Sequence, residues 1–280
     1  MHRLPGRPVR GLWGRCRARW GVAAAVLWAV AVVGTSVAAP PPSVQGLPAS
    51  PWAGTGQIPE LQASHVAACS ACHGPQGRAT PSGYFPRIAG KPQEYLYQQL
   101  LNFRDGRRSY PLMGHLLQHL GDDYLQGMAR YFARLDVPYP PPEPPASTPA
   151  RLARGAQLVH EGDVARGIPA CAQCHGAALM GSLPAVPGLL GLSRDYLNSQ
   201  LGAWRNGHRA ARAPDCMAQV ARALAPDDVA DLSAWLATQP VPVSAVAAPA
   251  ASVPWPLACG AAPHPAVAPA ADLQHRERRY

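Results

Sequence analysis

Two five-residue stretches of this 280-residue chain could do chemistry: Cys69-Ser70-Ala71-Cys72-His73 and Cys171-Ala172-Gln173-Cys174-His175. Two thiols separated by two residues, with a histidine directly after the second, form the attachment pattern of c-type haem. The thiols anchor the porphyrin covalently, and the adjoining imidazole reaches the iron as proximal ligand. Two copies predict two covalently bound haem c groups, held by Cys69, Cys72, Cys171 and Cys174, with His73 and His175 on the iron. A zinc site of this type takes a second ligand pair at comparable spacing, and no compact pair follows either motif. A thioredoxin-like dithiol needs a βαβ setting, which the sequence does not offer.

The sixth iron ligand is sought among soft, neutral donors. Met113 and Met217 fall at matching places after the two motifs, whereas Met128 and Met180 have no counterparts and read as core residues. A thioether opposite histidine raises the reduction potential. Met113 and Met217 are therefore the predicted axial partners of His73 and His175. His115, His119 and His208 compete nearby, but none has a counterpart in the other half and each reads as a surface histidine. Pro86 and Pro187 sit where a backbone carbonyl would accept the proximal His N–H. Arg87, Arg104, Arg107, Arg108, Arg205 and Arg209 are candidates for the haem carboxylates, although each taken singly reads as a solvated surface arginine.

The elements that must position these groups come twice. The second motif begins 102 residues after the first, and more repeats at nearly that offset. Pro86 to Gly90 answers Pro187 to Gly191, Tyr95-Leu96 answers Tyr196-Leu197, Gln99-Leu100 answers Gln200-Leu201, and Asp122-Asp123 answers Asp227-Asp228. Each module reads as three helices with long loops, so the expected class is all-α. The first helix ends at the haem motif. The second follows Lys91, with Pro92 at its first position, and puts Tyr95, Leu96, Leu100 and Phe103 on one face. The third starts at the Asp pair, which can cap free amides.

The expected organisation is a leader over 1–39, a flexible Pro-rich segment over 40–56, one lobe over 57–137, a Pro-rich linker over 138–150, a second lobe over 151–240 and a disordered Pro/Ala-rich tail over 241–280. The leader reads as an export signal: an arginine-rich stretch, an apolar run and the small residues Ser36 to Ala39. The uncharged run from Trp20 to Ala39 also nears the ~20 residues of a spanning helix, so a retained inner-membrane anchor is the competing reading. Either way the rest of the chain is exported to the periplasm. The net charge of +9 comes largely from six arginines in 1–39; without them 19 basic residues face 16 acidic ones. That balance, with four haem carboxylates to add, argues against nucleic-acid binding. Beyond the motifs and the leader's Cys16, Cys216 and Cys259 are free to pair in an oxidising compartment or to remain thiols.

The pattern of Cys-x-x-Cys-His-Gly twice, Pro-x-x-x-Gly, Tyr-Leu-x-x-Gln-Leu, Gly-x-Arg and a late Met, over about residues 60–240, resembles the di-haem cytochromes of the cytochrome c4 family. That resemblance implies two tandem class I cytochrome c domains, His/Met ligation, haem carboxylates meeting at the domain interface, and periplasmic electron transfer. The expected function is outer-sphere electron transfer in the respiratory chain, with a terminal oxidase, reductase or dehydrogenase as redox partner and no substrate transformed. A fixed cytochrome subunit of a periplasmic dehydrogenase or respiratory complex is the alternative. A di-haem peroxidase is a third reading, which two matched methionines oppose. The proline-rich linker, the long tail and Cys216 beside Met217 depart from the family pattern.

Overall fold

The computed structural model describes residues 60–250 and 255–262; the expected leader, the 40–56 segment and the end of the chain lie outside them. In the first lobe a 3-10 turn at Ala63–Val66 leads into α1 (Ala67–His73), followed by α2 (Gln93–Arg104), α3 (Pro111–Leu117) and α4 (Asp122–Ala133). The second lobe contains α5 (Pro149–His160), a 3-10 turn at Val164–Arg166, α6 (Cys171–His175), α7 (Arg194–Arg205), α8 (Cys216–Ala223) and α9 (Pro226–Ala237). Two-residue strands β1 (Gly181–Ser182) and β2 (Val186–Pro187) form a small antiparallel ladder, with Gly181 opposite Pro187.

The all-α expectation holds, but each lobe has one helix more than its sequence suggested. The additions are α3 and α8, which carry the two matched methionines. At seven and eight residues they are too short for a 3.6-residue apolar repeat to stand out. The other helices follow their apolar spacing. Helix α4 buries Leu125, Met128 and Phe132, and α9 buries Val229, Leu232 and Leu236. Pro92 lies just outside α2 as its N-cap. Helices α5 and α9 approach so closely at Gly155 that a Cβ there would meet the Asp231 carbonyl oxygen at 2.3 Å.

The acidic pairs do not act alike. Gly121 is the N-cap of α4, and Asp122 instead takes Arg104 Nη1 at 2.6 Å. In lobe two, buried Asp228 accepts from Ala225 N at 2.9 Å and from Arg166 at 2.6 and 3.2 Å, tying the α9 start to the loop before the haem motif. The Arg166 guanidinium holds the Asp228 carboxyl below the usual carboxylate range. A carboxyl whose folded pKa lies below its unfolded value stabilises the fold above the unfolded pKa and loses that contribution as pH falls through the folded one. Asp228→Asn is expected to cost about 1–2 kcal/mol at neutral pH, the half-exposed Arg166 limiting the effect. Chemical denaturation at pH 7 and pH 3 checks this, because the gap between variant and parent must narrow in acid.

The lobes meet along the segments that follow α2 and α7. Arg108 and Arg209 pair as an antiparallel bridge, flanked by Ser109 N to His208 O at 2.7 Å and Ala210 N to Arg107 O at 2.6 Å. The linker does not stand free. The buried Arg87 side chain donates to the carbonyls of Val137 and Pro138 and lies 3.8 Å over the Tyr139 ring. Tyr139 packs on the second core, and Glu143 accepts from Arg194 N at the start of α7.

The expectation of a disordered tail from residue 241 is corrected for 241–250 and 255–262, which fold back on lobe two. Leu183 N donates to Ala248 O, and Ala248 N to Gly181 O, both at 2.8 Å. Gly260 N donates to Pro214 O at 2.8 Å. Cys216 and Cys259 form a disulfide with a Cα–Cα distance of 5.1 Å. Trp255, Cys259 and Ala262 cluster with Ala185 and Val186. Composition misses this order because a covalent tie and a few apolar contacts replace the core that such a segment cannot form by itself.

Candidate haem-binding sites

Each motif helix ends on its histidine, and a glycine makes the turn that follows. Gly74 and Gly176 have φ of 76° and 81°, a region L side chains avoid. A Cβ on Gly74 would lie 2.2 Å from the Ala79 carbonyl oxygen. The chain therefore turns sharply away and returns with its proline loop. His73 Nδ1 donates to Pro86 O at 2.9 Å, and His175 Nδ1 donates to Pro187 O at 2.7 Å. A carbonyl only accepts, so Nδ1 carries the proton and Nε2 keeps its lone pair. This is the tautomer of a metal-ligating imidazole with its outer nitrogen anchored. Burial pushes both imidazoles toward the neutral form.

The thiols of all four motif cysteines are partly buried and outside any disulfide. Burial pushes the Cys69 and Cys174 thiols up, and Cys171 up to about 11. Cys69 and Met113 pack against one apolar cluster in lobe one, and Cys171 and Met217 against that of lobe two. Met113 lies in the first turn of α3 and Met217 in that of α8, each partly buried. The rival histidines His115, His119 and His208 are exposed, and Met128 and Met180 are buried in the cores.

The arginines correct the sequence reading. Arg87, Arg108 and Arg209 are buried. Arg108 donates to Gln99, Tyr196 and Gln200. Arg209 donates to Gln200, Gln99 and Tyr95. Burial first, and then the Arg108 charge, weaken Arg209's hold on its proton. All these acceptors are neutral, so two buried cations share one interface without an anion from these partners. Such charges are costly unless paired. Arg209 also lies 3.7 Å over the Trp204 ring, whose buried Nε1 has no hydrogen-bond partner among the described residues. This donor set fits an anionic carboxylate, the group that a haem would supply. Its signal in the sequence was the repeated Gly-x-Arg, which becomes informative only once both arginines prove buried. Lys91 was not singled out at all. It is buried, reaches Gly188 O across the interface at 3.4 Å, and is lowered to about 8 by loss of hydration.

With this geometry in place, likeness to known proteins becomes specific. Residues 152–240 match the Cytochrome c family. A thiosulfate dehydrogenase electron acceptor of Thiomonas intermedia is 35% identical, over 63% of this chain and 80% of that protein. The crystal structure of reduced cytochrome c4 from Pseudomonas stutzeri superposes with a TM-score of 0.55 at 30% identity, covering 62% of this chain and 95% of that one. The thiosulfate dehydrogenase TsdBA of Marichromatium purpuratum gives a TM-score of 0.56 at 31% identity, covering 63% of this chain but only 37% of that chain. The acceptor and the cytochrome c4 are electron carriers, so the peroxidase reading falls away. The repeat, the buried arginine interface and a likeness that spans both lobes place this chain in the cytochrome c4 family, in which tandem cytochrome c domains carry two covalent haem c groups and pass electrons without transforming a substrate.

Proposed function

We propose that this protein accepts electrons from a thiosulfate dehydrogenase and passes them to a further redox partner in the periplasm. The carrying observation is the 35% identity, over 80% of its length, to a protein that serves a thiosulfate dehydrogenase as acceptor. The lobes are 57–137 and 151–240, and residues 1–39 are the export signal or anchor. Cys69, Cys72, Cys171 and Cys174 hold the haems. His73 and Met113 are the axial ligands in lobe one, and His175 and Met217 in lobe two. Both anchored imidazoles and the matched, partly buried methionines support that ligand set.

The haems supply a reversible one-electron couple. The chain does the rest. Pro86 and Pro187 orient the imidazoles, the methionine helices offer the thioethers, and the apolar clusters exclude water. Arg108 and Arg209 balance carboxylate charge where the lobes meet. With His73 and Met113 holding one iron and His175 and Met217 the other, the haems would supply electron transfer with no position left for a substrate to bind.

Mixing the oxidised holoprotein with a thiosulfate dehydrogenase and thiosulfate tests the donor. Rapid reduction of both haems is expected, with none from thiosulfate alone. Absence of reduction with active enzyme, alongside prompt reduction by another dehydrogenase, rejects the donor while leaving the carrier function intact.

A further inference from the structure

The two lobes repeat each other, but among the described residues one carries an addition for which the other shows no counterpart. In lobe one, the helix bearing Met113 is open to solvent, with Leu112 and Leu116 exposed to 46% and 52%. In lobe two, the C-terminal stretches 241–250 and 255–262 lie against both loops that supply axial ligands. On the methionine side, Cys259 is bonded to Cys216, the residue before Met217, and Gly260 N donates to Pro214 O. The fit there is tight, since a Cβ on Gly260 would lie 2.0 Å from the Ala213 carbonyl oxygen. On the histidine side, Ala248 pairs with Ser182, whose hydroxyl donates to Cys174 O at 3.1 Å. Trp255, Cys259 and Ala262 cluster with Val186, the neighbour of the Pro187 that orients His175.

We infer that these stretches form a strap that positions the axial ligands of the second haem and raises its reduction potential. The inference rests on the ligand reading given above. A thioether favours ferrous over ferric iron, and a loop bearing it binds better when its conformational freedom is already restricted. On the histidine side the strap also lies against buried Ser182 and Val186, and keeping water from that loop disfavours the extra charge of the ferric state. Both effects act in the same direction and on one haem only. The first haem is thus an internal reference within the same molecule. Cys216 and Cys259 are positioning residues here, and touch no reacting atom.

The test is a spectroscopic redox titration of full-length holoprotein carrying Cys216→Ser and Cys259→Ser. Met113→His and Met217→His in the parent protein assign the two couples. The expected result is a fall of at least tenfold in the ferrous preference of the second haem, about 59 mV for a one-electron couple. Its thioether–iron absorption band should weaken, while the first couple stays in place and both haems stay attached. If the double variant keeps one haem only, the parent holoprotein is treated with a dithiol. The Sγ–Sγ bond then breaks, each sulfur gaining an electron and a proton as the reagent becomes its own disulfide. The new thiols are alkylated, the haems re-oxidised and the titration repeated. Two unmoved couples, or two that move together, overturn the strap alone. A parent in which Met217→His moves neither couple overturns the ligand reading and the strap with it.

Discussion

Met217→Ala is expected to lower one of the two reduction potentials steeply and leave the other within a few millivolts of the parent, on the order of the titration error; Met113→Ala should do the reverse. A neutral thioether favours ferrous iron, and water, a harder donor, does not. Axial ligands move haem potentials over a range of about 0.8 V, so loss of one should exceed the effect of any second-layer contact in this molecule. The structure adds a reason for the separation. Met113 and Met217 lie in different helices and pack against different apolar clusters. Each reduced variant should also bind carbon monoxide at one iron per chain, where the parent binds none. If neither couple moves, the ligands are not these methionines. The exposed His115, His119 and His208 would then have to turn inward, which titration of the corresponding alanine variants would reveal.

Cys171→Ser with Cys174→Ser should cost the second lobe its haem and with it most of its fold. After denaturation and extraction in acidified organic solvent, the parent chain retains two haem masses and the variant one. The physical reason is size. A lobe of this length has a marginal core on its own, and Cys171 and Met217 pack against a cluster that a haem held by these residues would extend. Each ~100 Å² of porphyrin face buried contributes about 2.5 kcal/mol, against a typical total of ~5–15 kcal/mol. If the second haem's carboxylates pair with Arg209, its loss would also leave that buried guanidinium against neutral oxygens alone. Lobe one should therefore lose stability as well, though it keeps its own haem. Mass spectrometry counts the adducts, and far-ultraviolet dichroism follows the fold. Two adducts in the variant, or pigment extracted from the parent, would falsify covalent attachment by these cysteines.

Charge and neighbourhood explain where the sequence misled. Arg108 and Arg209 read as surface residues because an isolated arginine belongs in water. Only the apposition of the lobes buries them, and only the internal repeat makes them a pair. Lys91 was silent for the same reason, since the Gly188 carbonyl that accepts from it lies on the other lobe. The 241–250 and 255–262 stretches read as disorder from their proline and alanine content, but their order derives from a disulfide, a strand-like pairing and a small apolar cluster contributed by lobe two.

Covalent motifs and helix spacing are local properties, so the sequence by itself determined the haem-attachment pattern, the duplicated all-α module and the proline carbonyls that anchor His73 and His175. Contacts between segments distant in the chain are set by three-dimensional packing. Only the tertiary structure decided that Cys216 joins Cys259, that the linker is held by both lobes, and that two buried guanidinium groups meet where the lobes touch. Burial gives those groups their energetic weight, and burial is a property of the folded assembly, not of any single stretch of residues.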